Sequence, residues 1–379
     1  MTDAASDGYE VALLDWLGCA ARGRQEEAAE AARGVEDRLV FAATSGHVLD
    51  FDDTYLPGLA HLTAPVAPAA LVLAAELEKS TGDALAAFVR GFEAMGALAR
   101  ASHPALYDRG WHPTAVCGAA GAAVAASHLI DAPVDAALAI ALLQSGGLRA
   151  AFGSHGKSLQ VGLAAASGLQ AARLARAGAR VPLDTVARGW QKATGGTFAR
   201  PQEGQDRAID ENWIKAWPCC LQTHGAIEAA ASVRGDHHAA DKLTVTVHPV
   251  SVQAAAEGPE PADGLQAKFS IPYLTAFTLL HGPPDVESFA QVDPDAVQRA
   301  HSIEIKTNSD LLESECVLTT TAAEGQAEIA IVKAALGSPG HPMDAQAIRA
   351  KLQGLLGTEP PPTLDQDEPA ERLLQRFGL

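Results

Sequence analysis

The chain has 379 residues, of which 47% are hydrophobic and 20% are charged, and its formal net charge is −18. Such a composition is typical of a globular protein that is long enough for two domains. Nucleic acids and anionic membrane surfaces are bound by clustered Lys and Arg, so we expect neither as a partner of this acidic chain. A small anionic substrate needs only a few cations inside a pocket.

The cysteines and the first residues indicate the cellular compartment of the protein. The five cysteines form no CxxC pair, which favours free thiols over a disulfide framework or a zinc ribbon. The first ten residues, MTDAASDGYE, are acidic and polar and lack the pattern of a signal peptide. We therefore expect a cytoplasmic protein.

Apolar residues at helical spacing, most of them Ala, dominate the first 240 residues. Gly34 is the expected stop of the first helix, and Asp83 is the expected N-cap of the third. The uncharged run 114–130 is rich in Ala and Gly, which indicates a packed core helix rather than a membrane span. We expect residues 1–240 to form a large all-α domain. The predicted helices span 9–33, 65–79, 83–101, 114–130 and 135–143.

The period changes from helical to two at about residue 241. The segments LTVTVHP, HSIEIKT, ESECVLTTT and AEIAIVKA alternate in polarity and predict strands, with a helix over about 273–280 between them. Residues 241–336 are therefore predicted to form a smaller α+β lid domain. Residues 337–379 return to a helical pattern and are expected to pack on the first domain. The predicted class is mainly α.

Titratable groups are densest over residues 47–54, HVLDFDDT, with His61 a short loop later. Leu49 and Phe51 alternate with Asp50 and Asp52, so carboxylates lie beside large apolar groups that favour burial. A buried carboxylate is unfavourable unless it is paired, and perturbed groups of this kind concentrate at functional sites. We predict a site here.

Two other motif interpretations and a metal site fit this stretch less well. The residues from Asp50 to Thr54 match DxDxT, the nucleophile motif of haloacid dehalogenase-like phosphatases, but no β-branched strand precedes them. A prenyl-diphosphate DDxxD motif fails at Leu56. A catalytic metal is not expected, since there is no HExxH and Cys219 and Cys220 are adjacent.

General acid–base chemistry beside a few cations is the remaining interpretation. His61, His112 and His224 each stand near a predicted helix N-terminus, where a lowered imidazole pKa and a preference for anions are expected. Lys157 follows Gly-Ser-His-Gly, a loop whose amides and ammonium are suited to a carboxylate. Together with Asp50 these residues predict proton transfer near a bound carboxylate.

The sequence resembles the MmgE/PrpD family, which includes methylcitrate dehydratase, cis-aconitate decarboxylase and iminodisuccinate epimerase. The resemblance extends over nearly the whole chain in the family's order. It departs from the family in its shorter length and in the loop LPGLAHLTAP before and after His61, where a His-Pro step is common. The blocks that carry it are HVLDFDDT at 47–54, GWHPT at 110–114, GKSLQVGLAAASGLQAARLA at 156–175, WPCCLQTHGAIEAA at 217–230, AKFSIPY at 267–273 and GSPGHPMDAQAIRAKL at 337–352.

The resemblance implies an α-helical domain built from both chain ends, an α+β lid and a homodimer. It also implies catalysis on small di- and tricarboxylates without a metal, an iron–sulfur cluster or another cofactor. Lys215 is a weaker substrate-binding residue than the others. The implied site residues are Asp50, Thr54, His61, His112, Lys157, His224, Tyr273 and Lys215.

The predicted activity is abstraction of a proton α to a carboxylate, since a carbanion-like state needs a base and nearby cations. His61 and His112 would transfer protons, with Asp50 orienting an imidazole. Lys157, His224 and Tyr273 would bind carboxylates or protonate a leaving hydroxyl. A hydro-lyase is favoured, with a decarboxylase or an epimerase as alternatives and a non-catalytic carboxylate-binding relative as a further one. The sequence leaves open which histidine is the acid and which is the base.

Overall fold

The structure is a computed structural model that describes residues 4–202, 206–235, 242–322, 325–358 and 363–379. The chain is 59% helical and 9% strand, which confirms the predicted mainly α class with a smaller α+β part. Its residues form two compact units, Met1–Ile214 with Asp344–Leu379, and Lys215–Met343. The predicted period change near residue 241 falls on 236–241, outside the described residues. The domain boundaries at 240/241 and 336/337 therefore stay predictions.

Helices make up most of the described chain, and most of the strands lie in the second unit. The first unit begins with α1 (Ala4–Gly23), α2 (Glu27–Arg33), α3 (Arg38–His47), β1 (Thr54–Tyr55), α4 (Thr63–Glu76), α5 (Thr81–Ser102), α6 (Ala105–Asp108), α7 (Pro113–Ile130), α8 (Val134–Leu143), α9 (Gly156–Arg176), α10 (Leu183–Thr194) and β2 (Asn212–Trp213). The second unit contains α11 (His224–Ser232), β3 (Lys242–Val247), α12 (Pro249–Ala254), α13 (Gly264–Ala267), α14 (Ile271–His281), α15 (Pro294–Ala300), β4 (Ile303–Thr307), β5 (Cys316–Ala322) and β6 (Gly325–Val332). The chain ends in the first unit with α16 (Ala345–Leu356) and α17 (Ala370–Arg376).

Helix α7 lies at the centre of the first unit, packed between α5, α4, α8 and α9. All of its residues except Val124 and His128 are buried, which confirms the predicted core helix. It is long and apolar enough to cross a membrane by length and composition alone. Small residues bring the backbones together: a Cβ at Gly168 of α9 would lie 2.4 Å from the carbonyl oxygen of Ala119. This close packing fixes the two helices that carry His112 and Lys157.

The helix boundaries differ most from the predictions at two places. The single helix expected over 9–33 is two helices, because Gly23 packs so closely on α3 that a Cβ there would lie 2.2 Å from the Ser45 carbonyl oxygen. The N-cap of α5 is Ser80 rather than Asp83. Asp83 is instead the third helical residue, and its carboxylate accepts from the Ser80 N–H in a capping box.

The second unit contains the predicted alternating strands. Among its described residues, four strands form a sheet in the order β4-β3-β5-β6. β3 pairs in parallel with β4 and antiparallel with β5, and β5 pairs antiparallel with β6. Helix α11 packs on β5 and β6. This mixed sheet with helices is the α+β part that the sequence predicted.

Candidate active site

A tight turn after α3 presents the carboxylates of the acidic segment. Asp50 has φ 54°, a left-handed conformation that non-glycine residues seldom adopt and that is found at functional sites. Lys351 of α16 donates to the Phe51 carbonyl oxygen at 2.8 Å and pairs with Asp15 at 2.6 Å. Both Lys351 and Asp15 are buried. The two ends of the chain therefore hold this turn in place.

Asp52 accepts hydrogen bonds from two imidazoles. Its Oδ2 atom lies 2.9 Å from Nδ1 of His47 and 3.1 Å from Nδ1 of His61. The His47 and His61 rings meet edge to face at 4.5 Å between centroids. Burial opposes ionisation of Asp52, but the two imidazoles hold its pKa well below the ordinary value. Asp52 is therefore an ionised carboxylate within the protein interior.

Asp50 faces the ammonium group of Lys157. Its Oδ1 atom is 2.8 Å from Nζ of Lys157, at the start of α9, and 3.7 Å from Nε2 of His61. Lys157 and Asp50 are both less than a tenth exposed. A carboxylate, an ammonium and the Nε2 edge of an imidazole are thus brought to one place.

His112 is the N-cap residue of α7, and Pro113 occupies the first turn as expected. The Nδ1 atom of His112 lies 2.7 Å from Nε2 of Gln160. The His112 ring stacks on that of His47, with 6.1 Å between the ring centroids. Burial, and after it His47 and Lys157, hold the pKa of His112 well below the ordinary value. The His112 side chain is therefore neutral at physiological pH.

Thr54 and Thr114 fix the position of His61. The Thr54 hydroxyl, on β1, is 3.4 Å from Nδ1 of His61. The backbone N–H of His61 donates to the Thr114 hydroxyl at 3.1 Å, in the first turn of α7. β1 itself pairs antiparallel with β2 through Thr54 and Trp213. The loop that carries His61 is thereby joined to the helix that His112 caps.

Asp53 lies on the other side of the segment in different surroundings. Its Oδ2 atom accepts from the Thr63 hydroxyl at 2.8 Å and from the Asn212 amide at 2.6 Å. Burial, and after it the charge of Asp52, raise the pKa of Asp53 to about 8 despite these hydrogen bonds. This carboxyl group is therefore mostly protonated at neutral pH.

Comparison with known proteins identifies the family of this chain. Residues 1–200 match the MmgE/PrpD N-terminal domain, and residues 217–373 match the MmgE/PrpD C-terminal domain. The chain belongs to the MmgE/PrpD family. The predicted resemblance is thus confirmed over most of the chain.

Three similar proteins carry the name cis-aconitate decarboxylase. That of Homo sapiens is 28% identical over 311 residues, covering 74% of this chain and 64% of the relative. That of Mus musculus is 29% identical over 272 residues, with 64% and 54% covered. That of Aspergillus terreus is 29% identical over 209 residues, with 49% and 43% covered. The chain therefore spans less than two thirds of the length of each of these relatives.

Five of the eight residues that the MmgE/PrpD resemblance implied lie in the first unit and are joined by the contacts described above. The other three lie in the second unit, and their part in the same site stays a prediction. Lys215 donates to the Cys219 carbonyl oxygen at 2.9 Å, and the buried His224 ring lies 5.0 Å from Trp217. Tyr273 accepts from the Asp293 N–H at 3.0 Å. The five in the first unit are Asp50, Thr54, His61, His112 and Lys157.

Four residues of this arrangement were not among the predicted site residues. His47 and Asp52 stood inside the quoted acidic segment, but their pairing depends on the turn between them. Gln160 lies three residues after Lys157, a spacing that puts both on one face of α9. Lys351 stood in the last block of the resemblance, without a signal of its contact with Phe51. The spacing of Lys157 and Gln160 was therefore a signal in the sequence, whereas the contacts of His47, Asp52 and Lys351 were not.

His47, Asp52 and His61 also offer one potential ligand atom each within 4.8 Å of one another. The distances of 2.9 and 3.1 Å are those of hydrogen bonds in which one carboxylate accepts two N–H groups. Protons on the two Nδ1 atoms therefore satisfy the carboxylate without an added cation. Metal-independent activity of this MmgE/PrpD protein stays a prediction, which extensive dialysis against EDTA would test.

Proposed function

We propose that this protein is a lyase that removes CO2 from a small polycarboxylate of the cis-aconitate type, without a metal. The observation that carries the proposal is the buried pairing of Lys157 with Asp50 beside His61. A substrate carboxylate that approaches Lys157 replaces one negative partner by another, so the ammonium is not left uncompensated. The reacting carbon would then lie near an imidazole that can exchange a proton.

Decarboxylation requires a group that stabilises negative charge and a group that supplies a proton, and the site contains candidates for both. When the bond between a methylene carbon and its carboxylate breaks, the electron pair forms a new double bond. The original double bond then places its pair on the neighbouring carbon, which takes up one proton, and CO2 leaves. Negative charge develops on the remaining carboxylates during this step, and a fixed ammonium stabilises it. An imidazole that has first taken up a proton from solvent can supply it, and His61 and His112 are the imidazoles near the ammonium.

The sequence alone favoured a hydro-lyase, and dehydration would use the same groups. The proposal shifts to decarboxylation because the similar proteins described above are named for that reaction. Epimerisation and non-catalytic binding of a carboxylate remain as outcomes that the experiment separates. A phosphatase would instead release phosphate in the presence of magnesium.

Proton NMR in deuterated water tests the proposal. The purified protein is incubated with cis-aconitate, citrate, methylcitrate and iminodisuccinate in turn. We expect cis-aconitate to give methylenesuccinate with one deuterium at the carbon that was protonated. Loss of water from citrate or methylcitrate would replace the proposal by a dehydratase, and inversion of iminodisuccinate by an epimerase. A rise in melting temperature without turnover of any substrate would favour the non-catalytic relative.

Lys157→Met is the matched test of the site, with Lys192→Met as its control. Lys192 is exposed on α10, so its loss removes the same charge without touching the cluster. We expect Lys157→Met to lower kcat/KM by roughly 10²–10³-fold, the effect of removing one preorganised charge-stabilising group. Equal activity of the two variants would contradict the proposal.

Homodimerisation in the cytoplasm is the second part of the proposal. Family membership supports the dimer, as do three exposed leucines: Leu143 on α8 (64% exposed), Leu148 on the segment after it (52%) and Leu163 on α9 (60%). Light scattering on the purified protein should give twice the mass of 39.2 kDa. A monomer at micromolar concentration would contradict it.

A further inference from the structure

His61 and His112 differ in what holds their Nδ1 atoms, and this difference decides where each ring carries its proton. A neutral imidazole has one N–H and one lone pair, and the partner of one nitrogen sets the state of the other. For His61 the partner is a carboxylate, and for His112 it is an amide. The two rings therefore present opposite groups at Nε2.

The partner of His61 can only accept a hydrogen bond. Asp52 is ionised and buried, so the Nδ1 atom at 3.1 Å must carry the proton. His47 donates to the same oxygen from 2.9 Å and fixes the carboxylate from the other side. When the His61 ring is neutral, its Nε2 atom has a lone pair, and this atom lies 3.7 Å from Oδ1 of Asp50, which pairs with Lys157.

The partner of His112 donates. The Gln160 amide is held in one orientation by both backbone groups of Leu148. Leu148 N–H donates to Oε1 at 2.9 Å, and Nε2 donates to the Leu148 carbonyl oxygen at 3.3 Å. If the amide were rotated by 180°, its NH₂ group would face the Leu148 N–H and its oxygen would face the Leu148 carbonyl oxygen. Neither pair can form a hydrogen bond. The Gln160 group that faces His112 at 2.7 Å is therefore the NH₂, so Nδ1 of His112 accepts and Nε2 carries the proton.

We propose that His61 is the residue that exchanges a proton with the substrate, and that His112 is a neutral hydrogen-bond donor held in that state by Gln160. His47 is a positioning residue that holds Asp52 against His61. The substrate part of this assignment rests on the proposed function, whereas the tautomers do not depend on it.

The surroundings of His61 and His112 decide which of the two rings can become positively charged. When His61 takes up a proton from solvent at Nε2, the imidazolium that forms remains paired with the Asp52 carboxylate, as in a catalytic triad, and the proton is then transferred to the substrate carbon as CO2 leaves. His112 has no carboxylate at Nδ1, and burial disfavours its charged form. His112 can therefore stabilise a negative oxygen through its Nε2–H but cannot accept the proton there.

Nitrogen NMR of protein labelled with ¹⁵N at histidine tests the tautomers directly. The signals of the two rings are assigned by their loss in His61→Asn and His112→Asn. We expect Nδ1 of His61 and Nε2 of His112 to be protonated, with Nε2 of His61 and Nδ1 of His112 unprotonated. The same protonated nitrogen in both rings would overturn the assignment. Turnover in the substrate panel is measured separately, so a failure of the proposed function is recognised by itself.

Gln160→Glu tests whether the amide sets the state of His112. A carboxylate at this place would draw the His112 proton to Nδ1 and remove the donor at Nε2. We expect the ¹⁵N signature of His112 to reverse and kcat to fall on the order of a hundredfold, as when one charge-stabilising donor is lost. Gln170→Glu, which adds the same charge at an exposed position of α9, is the control. An unchanged His112 signature in a folded Gln160→Glu variant would overturn the role of Gln160.

Discussion

Asp52 and Asp53 are adjacent in the chain, and both are fully buried, yet they carry different charges. Asp52 faces two imidazole N–H groups, and its pKa lies well below the ordinary value. Asp53 faces a hydroxyl and an amide, and its pKa is raised to about 8. Burial acts in the same direction on both, so the partners decide the outcome. Asp52, which faces the imidazoles, is therefore placed for catalysis, whereas Asp53 has a structural role.

Replacement of the charged member should have the largest effect. In Asp52→Asn the amide can present a donor to His61 and stabilise the wrong tautomer. We expect kcat/KM to fall roughly 10³–10⁴-fold, the effect known for an analogous change in a catalytic triad. Steady-state kinetics on the substrate identified by NMR measure it, with circular dichroism to show folding. If Asp53→Asn lost as much activity, the contrast between the two sides would be broken.

Lys351 supports the turn that precedes the two carboxylates, through its hydrogen bond to the Phe51 carbonyl oxygen. Its loss in Lys351→Met leaves Asp15 as a buried charge without its ammonium, and such changes cost about 3–5 kcal/mol of stability. Chemical denaturation measures the difference. The double variant Asp15→Leu/Lys351→Met should recover most of it, since no uncompensated charge remains. A double variant as unstable as the single one would show that the hydrogen bond to Phe51 is what matters.

Replacement of His47 tests whether it holds the Asp52 carboxylate against His61. His47→Gln shortens the group that holds the carboxylate but leaves His61 in place. Because a hydrogen bond to a charged group contributes about 1.5–3 kcal/mol, kcat should fall about tenfold to a hundredfold with little change in KM. A change confined to KM would indicate substrate binding instead of positioning. His128→Gln on the outer part of α7 is the control and should leave both constants as they are.

The pH dependence of stability tests the Asp53 side. Its folded-state pKa of about 8 lies above the unfolded value of 3.8, so the folded protein binds more protons between these two pH values. Its contribution to stability therefore decreases as pH rises through that window, by at most roughly 1.4 kcal/mol per pH unit. Asp53→Asn removes this titration. Relative to the wild type, the variant should gain stability from pH 5 to pH 7.

Denaturant midpoints at the two pH values measure this double difference, in which other titrating groups cancel. A constant difference between wild type and variant would show that Asp53 is ionised in the folded protein. The contrast with Asp52 would then disappear.

The sequence predicted the elements whose signals are local. Apolar spacing predicted α4, α5 and α8, which pack around α7, and alternation predicted the strands of the second unit. Local signals did not predict the break at Gly23, because it depends on contact with α3 from a later part of the chain. The cap of α5 was misplaced by three residues because Ser80 and Asp83 cap each other.

The sequence could predict a set of site residues, but not which of their side chains contact each other. Asp50 was expected to orient an imidazole, and that role stays a prediction; Asp52, which was not expected to do so, lies 3.1 Å from Nδ1 of His61. The left-handed turn at Asp50 decides which carboxylate faces which group, and such a turn has no clear signature in the sequence. The amide of Gln160 acquires its role only through the Leu148 backbone.

A crystal structure with propane-1,2,3-tricarboxylate tests the central claim most directly, since this saturated analogue of aconitate has no double bond to accept the electrons. The account predicts one carboxylate within hydrogen-bond distance, about 3 Å, of both Lys157 Nζ and His112 Nε2. It also predicts that the ligand carbon chain lies against Nε2 of His61. A ligand bound away from Lys157, or with His61 on the far side from its carbon chain, would contradict the account.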